Sequence, residues 1–134
     1  MRICRIIVLI LPVLTLFACA SMQTRSPETI APFSAQGWGG ANCADLLHDT
    51  NPAIGGEKAG LNTGLYQSWI SGFVSGVNYS NQKVLDISGD TGPNVSFDWI
   101  KSYCLRNPDS TIPEAMHRLI LQWYTEGKSV PNTK

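Results

Sequence analysis

A chain of 134 residues has room for one domain. Ten basic residues against ten acidic ones leave no basic surface for nucleic acid and no acidic tail. Charged residues are only 15% of the chain, against roughly 25% in an average soluble protein, while the 43% apolar share supports a small core and excludes wholesale disorder.

Arg2 and Arg5 precede an uncharged apolar run over 6–18, broken in its middle by Pro12. The run is too short to cross a hydrocarbon layer of about 30 Å as a helix. It reads as a secretory signal and stands outside the fold. Its end fits two cleavage chemistries. Leu16-Phe17-Ala18-Cys19 resembles a bacterial lipobox, which makes residues 1–18 the signal and Cys19 the lipidated first residue. Ala18-Cys19-Ala20 also fits a small-x-small site, which would remove residues 1–20. In lipoproteins of this kind an Asp after the cysteine suggests inner-membrane retention. Ala20 stands there instead, which implies an outer-membrane anchor facing the periplasm. Loss of Arg2 and Arg5 leaves eight basic and ten acidic residues, a net charge of −2 with both histidines neutral.

Of four cysteines, Cys4 leaves with the signal, and Cys19 is acylated or lost. Cys43 and Cys104 remain, in an oxidising compartment and a small domain, and are expected to form a disulfide. The pair closes a loop of about 60 residues, for which chain entropy gives roughly 4 kcal/mol. A metal or redox pair is the weaker reading. There is no Cys-x-x-Cys, and the one histidine near either cysteine, His48, stands five residues after Cys43 with no second histidine beside it.

Residues 19–41 are rich in Ser, Thr, Gln, Pro and Gly, without an apolar period, and read as a flexible tether. Trp38 either docks back on the domain or stays exposed. A first short helix is expected over 43–49, capped by Asn42, with Ala44, Leu46 and Leu47 on its apolar side. Asn51-Pro52 and Gly55-Gly56 end it. The longest helix is expected over 61–81, with Asn62 or Thr63 as cap and a face of Leu61, Leu65, Trp69, Phe73 and Val77. Beside that face run Gly60, Gly64, Ser68, Gly72 and Gly76. Glycine within a helix costs roughly 0.5–1 kcal/mol relative to alanine. Close approach of another helix along the stripe would compensate for that cost. A ligand groove along the stripe is the other reading.

Residues 82–94 read as a solvated loop, whose Asp86 and Asp90 lack calcium-loop spacing. A third helix is expected over 95–105, begun by Asn94 or Ser96, carrying Phe97, Ile100 and Cys104, and stopped by Asn107-Pro108. Thr111-Ile112-Pro113-Glu114 then matches a capping box. The last helix buries Ile112, Ala115, Met116, Leu119 and Trp123, and Gly127 closes it before a polar tail over 128–134. The fold class is all-α: four helices over 42–127, stapled by one disulfide.

Little in the chain carries catalytic chemistry. There is no nucleophile elbow, since Gly72-Phe73-Val74-Ser75-Gly76 has the wrong spacing and lies within a helix. There is no phosphate loop, no His-Glu-x-x-His and no dinucleotide fingerprint. His48 and His117 stand on separate helices, and Asp45 with His48 reads as a surface ion pair before a metal pair. Asn78 and Asn94 head glycosylation sequons that a bacterial-type signal makes irrelevant. No enzyme activity, cofactor or metal is expected.

Two stretches carry a family resemblance: Asn42-Cys43-Ala44-Asp45-Leu46-Leu47 and Trp99-Ile100-Lys101-Ser102-Tyr103-Cys104-Leu105-Arg106-Asn107-Pro108. A cysteine followed by an acidic residue and aliphatics, then Tyr-Cys-x-x-Asn-Pro before a helix, resembles the frame of the HdeA/HdeB-like group of small bacterial periplasmic proteins. The helix around Trp69-Ile70-Ser71-Gly72-Phe73 looks like that of uncharacterised relatives, and the likeness covers about 42–122. The resemblance implies a four-helix fold with one disulfide joining Cys43 and Cys104. It also implies a homodimer at neutral pH that opens in acid and holds unfolding periplasmic proteins.

Charge is compatible with that implication. In strong acid the carboxylates are neutral and the histidines charged, which takes the mature chain from −2 to about +10. Self-repulsion then loosens a small domain. Trp69, Phe73, Trp99 and Trp123 are the candidate client-binding residues. The chain departs from the family's known chaperones in being poor in charge, rich in glycine along its long helix and, on the lipobox reading, lipidated. A second expectation is a specific protein-binding module. The Tai-type immunity proteins of type VI secretion resemble this chain in size, signal, helices and disulfide. A third is a structural envelope lipoprotein without a client.

Overall fold

The computed structural model describes residues 34–133. The signal, the cleavage sites and the lipidation site at Cys19 lie outside the described residues. The described chain is mostly helical. In order, it runs through a 3₁₀ turn at Gly37–Gly40, α1 at Cys43–Asp49, α2 at Pro52–Gly55 and α3 at Lys58–Ser80. Then follow β1 at Val84–Asp86, α4 at Pro93–Arg106, α5 at Ile112–Thr125 and β2 at Val130–Pro131.

Caps explain where most helices begin. The Asn42 side chain accepts the Asp45 amide proton (2.8 Å), and the Asp45 carboxylate accepts that of Asn42 (3.2 Å). This reciprocal box satisfies two main-chain donors at the first turn of α1. Cys43 and Leu46 are its buried residues, while Ala44, expected on the apolar side, is exposed. Asn51 caps α2 by accepting from Ala53 N, with Pro52 in the first turn. Thr111 caps α5 by accepting from Glu114 N (3.3 Å). The expected box there is only half formed, because the Glu114 side chain makes no return bond to Thr111.

At the other end of α5, Lys128 N donates to Trp123 O and Gly127 N to Tyr124 O. Gly127 has φ +67°, the left-handed residue that this pair of bonds requires. The five residues expected to be buried on α5 are all in the core.

The Cys43–Cys104 disulfide is present and ties the first turn of α1 to the last turn of α4. Beside it the chain makes a short antiparallel bridge between Asn42 and Thr111, so α1 and α5 begin next to each other. Cys43 N donates to Ser110 O (2.8 Å) and Ile112 N to Ala41 O (3.3 Å). Around this corner the core gathers Leu46, Tyr66, Ile70, Ile100, Met116 and Trp123.

Three expectations about α3 are corrected. The helix begins three residues earlier, at Lys58. Asn62 and Thr63 are interior: Asn62 donates to Asp49 O and Thr63 to Ala59 O. Its core face is Ala59, Tyr66 and Ile70, with Phe73, Val74 and Val77 packed beside them. Leu61 is 66% exposed. The expected line of every fourth residue advances 400° per step on a helix of 100° per residue, so it winds off any fixed face.

The glycine stripe is corrected as well. Nothing lies within 4 Å of a Cβ built on Gly60, Gly64, Gly72 or Gly76. Among the described residues no element covers the stripe, so close packing of another of these helices does not explain it.

The segments expected to be loop and tail pair with each other. Val84 lies opposite Pro131 and Asp86 opposite Val130, forming a two-stranded antiparallel ribbon. Gly89 makes the turn beyond β1 with φ +59°, where a Cβ would sit 2.5 Å from Lys128 O. Helix α4 starts at Pro93, capped by Gly92 and not by Asn94 or Ser96.

The tether expectation runs to residue 41, yet its last five residues are folded. Trp38 packs edge-on against Tyr66, with ring centroids 4.9 Å apart. Gly39 lies so close beneath the Trp69 indole that a Cβ there would overlap the ring.

Candidate functional site

The loop between β1 and α4 is built around one carboxylate. Asp86 Oδ1 accepts from Asn78 Nδ2 (3.2 Å), Ser88 N (3.0 Å) and Ser88 Oγ (2.8 Å). The other end of the same amide, Asn78 Oδ1, accepts from Ile87 N (2.8 Å). Asn78 sits on the last turns of α3, so this pair fastens the loop to the long helix. Between the two polar anchors Ile87 is fully buried and Ser88 nearly so. The loop is therefore a lid on the core, and not the solvated segment its composition suggests. Partial burial works against ionisation of Asp86, but the bonds from Ser88 and Asn78 together outweigh it and hold its pKa below the ordinary carboxylate value.

A groove of about 390 Å³ opens beside this lid. Ile70, Val74 and Leu85 give it an apolar wall. Ser71, Ser75 and Asn78 from α3 face Asp86, Ser88 and Thr91 from the lid, with Pro93 and Ser96 closing the end. None of the stripe glycines lines it. A groove thus exists on α3, but on the flank next to the stripe and not along it.

The opposite feature of α3 is its bare outer face. Residues 59–80 contain no Asp, Glu, Lys, Arg or His. Leu61, Gly64, Ser68, Gly72, Ser75 and Tyr79 are exposed, Tyr79 at 91%. A helix on the surface of a monomer ordinarily carries charge there.

The four aromatic residues expected to hold clients are all turned toward the core in the folded state. Trp123 is 1% exposed. Trp99 is half-buried, stacks on Tyr103 and donates its Nε1 proton to Gln122 Oε1 (2.8 Å). Trp69 and Phe73 are half-buried against each other, with ring centroids 5.3 Å apart. They do not form one surface.

His48 does not pair with Asp45, whose carboxylate is taken by the α1 cap; it meets Asp49 Oδ1 at 3.2 Å instead. Asp49 Oδ2 also accepts from the Tyr66 hydroxyl (3.2 Å). Burial, and then the nearby Asp49 charge, push the Tyr66 phenol far above its ordinary pKa. Among the described residues no three of His, Cys, Asp and Glu come together as a metal site. No helix of the described residues is long and apolar enough to cross a membrane.

Sequence reasoning missed the Asp86 anchor and the groove. The one signal available was Asn78, a polar residue near the end of an uncharged stretch of helix and eight residues before Asp86. No family model, curated protein or solved structure matches this chain.

Proposed function

We propose that the protein is an envelope protein of the periplasm that holds unfolding proteins in acid. In this reading residues 1–18 export it, a lipid on Cys19 anchors it to the outer membrane, and the helical core has an HdeA-like four-helix arrangement. The observation that supports an acid response is the Asp86 latch. Its depressed pKa means that its contribution to stability is complete above the unfolded value near pH 4. That contribution is lost as pH falls through the lower folded value. Protonation weakens the acceptor on which Ser88 and Asn78 rely, and it comes after ordinary carboxylates have been neutralised and the mature chain is already cationic. The lid over Ile87 then loosens, while the Cys43–Cys104 bond keeps α1 on α4. Opening uncovers Ile87, Ile70 and Val74, and the wider loosening by charge repulsion adds Trp69 and Phe73 as client-binding surface.

The test uses the oxidised chain from Ser21 onward, mixed with an acid-labile periplasmic protein and taken to about pH 2.5. Light scattering should be suppressed near stoichiometric ratios in acid and not at pH 7. Absence of suppression in acid would sink the proposal.

The bare outer face of α3 favours a second reading, a module for one specific protein partner at neutral pH. That partner would be captured at pH 7 by the native chain and lost when Gly72→Arg places a charge on the face.

A further inference from the structure

The groove beside the lid has a chemical bias that its residue names do not show. Its serines have already spent their protons. Ser71 Oγ donates to Gln67 O (2.9 Å), Ser75 Oγ to Ser71 O (2.8 Å) and Ser96 Oγ to Gly92 O (3.1 Å). Ser88 Oγ donates to Asp86 Oδ1. A hydroxyl whose proton is committed in this way offers only lone pairs to a ligand. Asp86 adds a carboxylate whose three hydrogen bonds all fall on Oδ1, which leaves Oδ2 as an acceptor. Among the described residues no Lys, Arg or His lines the groove. It is therefore an oxygen-rich acceptor surface with a negative charge, set against the apolar wall of Ile70, Val74 and Leu85.

We infer that this groove is a binding site for an aliphatic ammonium group, with the methylene stem on Ile70, Val74 and Leu85 and the cationic end at the Asp86 and serine oxygens. The volume falls within the range of small-ligand sites, about 300–1,000 Å³. An ammonium brings three donors and no acceptor, which complements a surface made of lone pairs. An anion would meet the Asp86 charge and the same lone pairs, with only the Thr91 hydroxyl and the second Asn78 Nδ2 proton to donate. A neutral alcohol would supply donors without the charge. The ammonium comes either from a free diamine or from a lysine side chain on a peptide, and both present it on a short methylene stem. This inference does not depend on the acid-holdase reading.

The test is a titration at pH 7 of the oxidised, isotopically labelled chain from Ser21 onward, followed by amide chemical shifts. The probes are 1,5-diaminopentane and a short peptide with one lysine blocked at both ends. Pentane-1,5-diol and glutarate are the controls. Saturable shifts should centre on Ser71, Ser75, Asn78 and Ile87, with the diol and glutarate at least about tenfold weaker. Whichever amine binds more tightly identifies the source.

Asp86→Asn should weaken amine binding at least about tenfold. If that variant loosens the lid, Ser75→Val keeps the Asp86 anchor intact, and it should also weaken binding by filling the groove and removing an acceptor. Failure of both amines to give saturable shifts would overturn the inference. So would equal binding of the diol, or unchanged affinity in a folded Asp86→Asn protein.

Discussion

Replacing Gly64 and Gly72 together by alanine should stabilise this protein. Both lie inside a 23-residue helix, are exposed, and have nothing within 4 Å of an added Cβ. Each alanine then recovers the helix propensity that glycine forfeits, about 0.8–1 kcal/mol, without a steric cost. The two sites are two turns apart, roughly 12 Å along the axis, far enough for their effects to add. The sum is about 2 kcal/mol, which in a domain near 100 residues raises Tm by about 8–16 °C. Circular dichroism melts of the oxidised chain at pH 7, single and double variants against the parent, measure it directly. A fall in Tm would refute the reasoning, because it would mean that the glycine backbone is covered in solution. Sedimentation at the same concentrations would then show a parent assembly that the double variant breaks.

Three further outcomes follow from the fold. Replacing Cys43 and Cys104 together by alanine should cost roughly 4 kcal/mol, read as a lower urea midpoint; a change under 1 kcal/mol would mean that the unfolded chain is already constrained. Gly89→Ala should destabilise by more than about 1 kcal/mol, because the residue has positive φ and the new methyl meets Lys128 O. Its hydrogen exchange should speed up over 84–88 first, and uniform change across the protein would argue against a local ribbon. In Asp86→Asn the acid limb of the stability curve below about pH 4 should flatten relative to the parent, since the group with the depressed pKa is gone. An unchanged limb would assign acid sensitivity to other carboxylates.

Helix α5 is legible but for the missing half of its capping box, because each level agrees: a cap at Thr111, a buried line from Ile112 to Trp123, and Gly127 at its end. The Cys43–Cys104 pair was legible by elimination among four cysteines. The face of α3 was not. With no charge between Lys58 and Lys83, nothing in the sequence marks which side meets water. Leucine ordinarily marks a core face, yet Leu61 is exposed and Tyr66, which looks polar, is buried with its hydroxyl on Asp49. The ribbon was hidden for a different reason. Its strands are three and two residues long and lie more than forty residues apart, so no local alternation announces them. The groove depends on which way serine protons point, and the helix sets that through carbonyls four residues earlier.

The disulfide also decides how the protein carries load. Tension entering through the chain before residue 43 and leaving through its C-terminal end reaches Cys43, crosses the sulfur bridge to Cys104 and continues into α5. Residues 44–103 form a closed loop outside that line of force, so α2, α3 and the lid carry no direct strain along the backbone. A pull on the N-terminal side is first resisted by the Trp38 and Gly39 plug against Tyr66 and Trp69. The bridge thus acts as a mechanical shunt for the backbone, while the entry turn against α3 and the ribbon of β1 and β2 take the sideways load at the two ends.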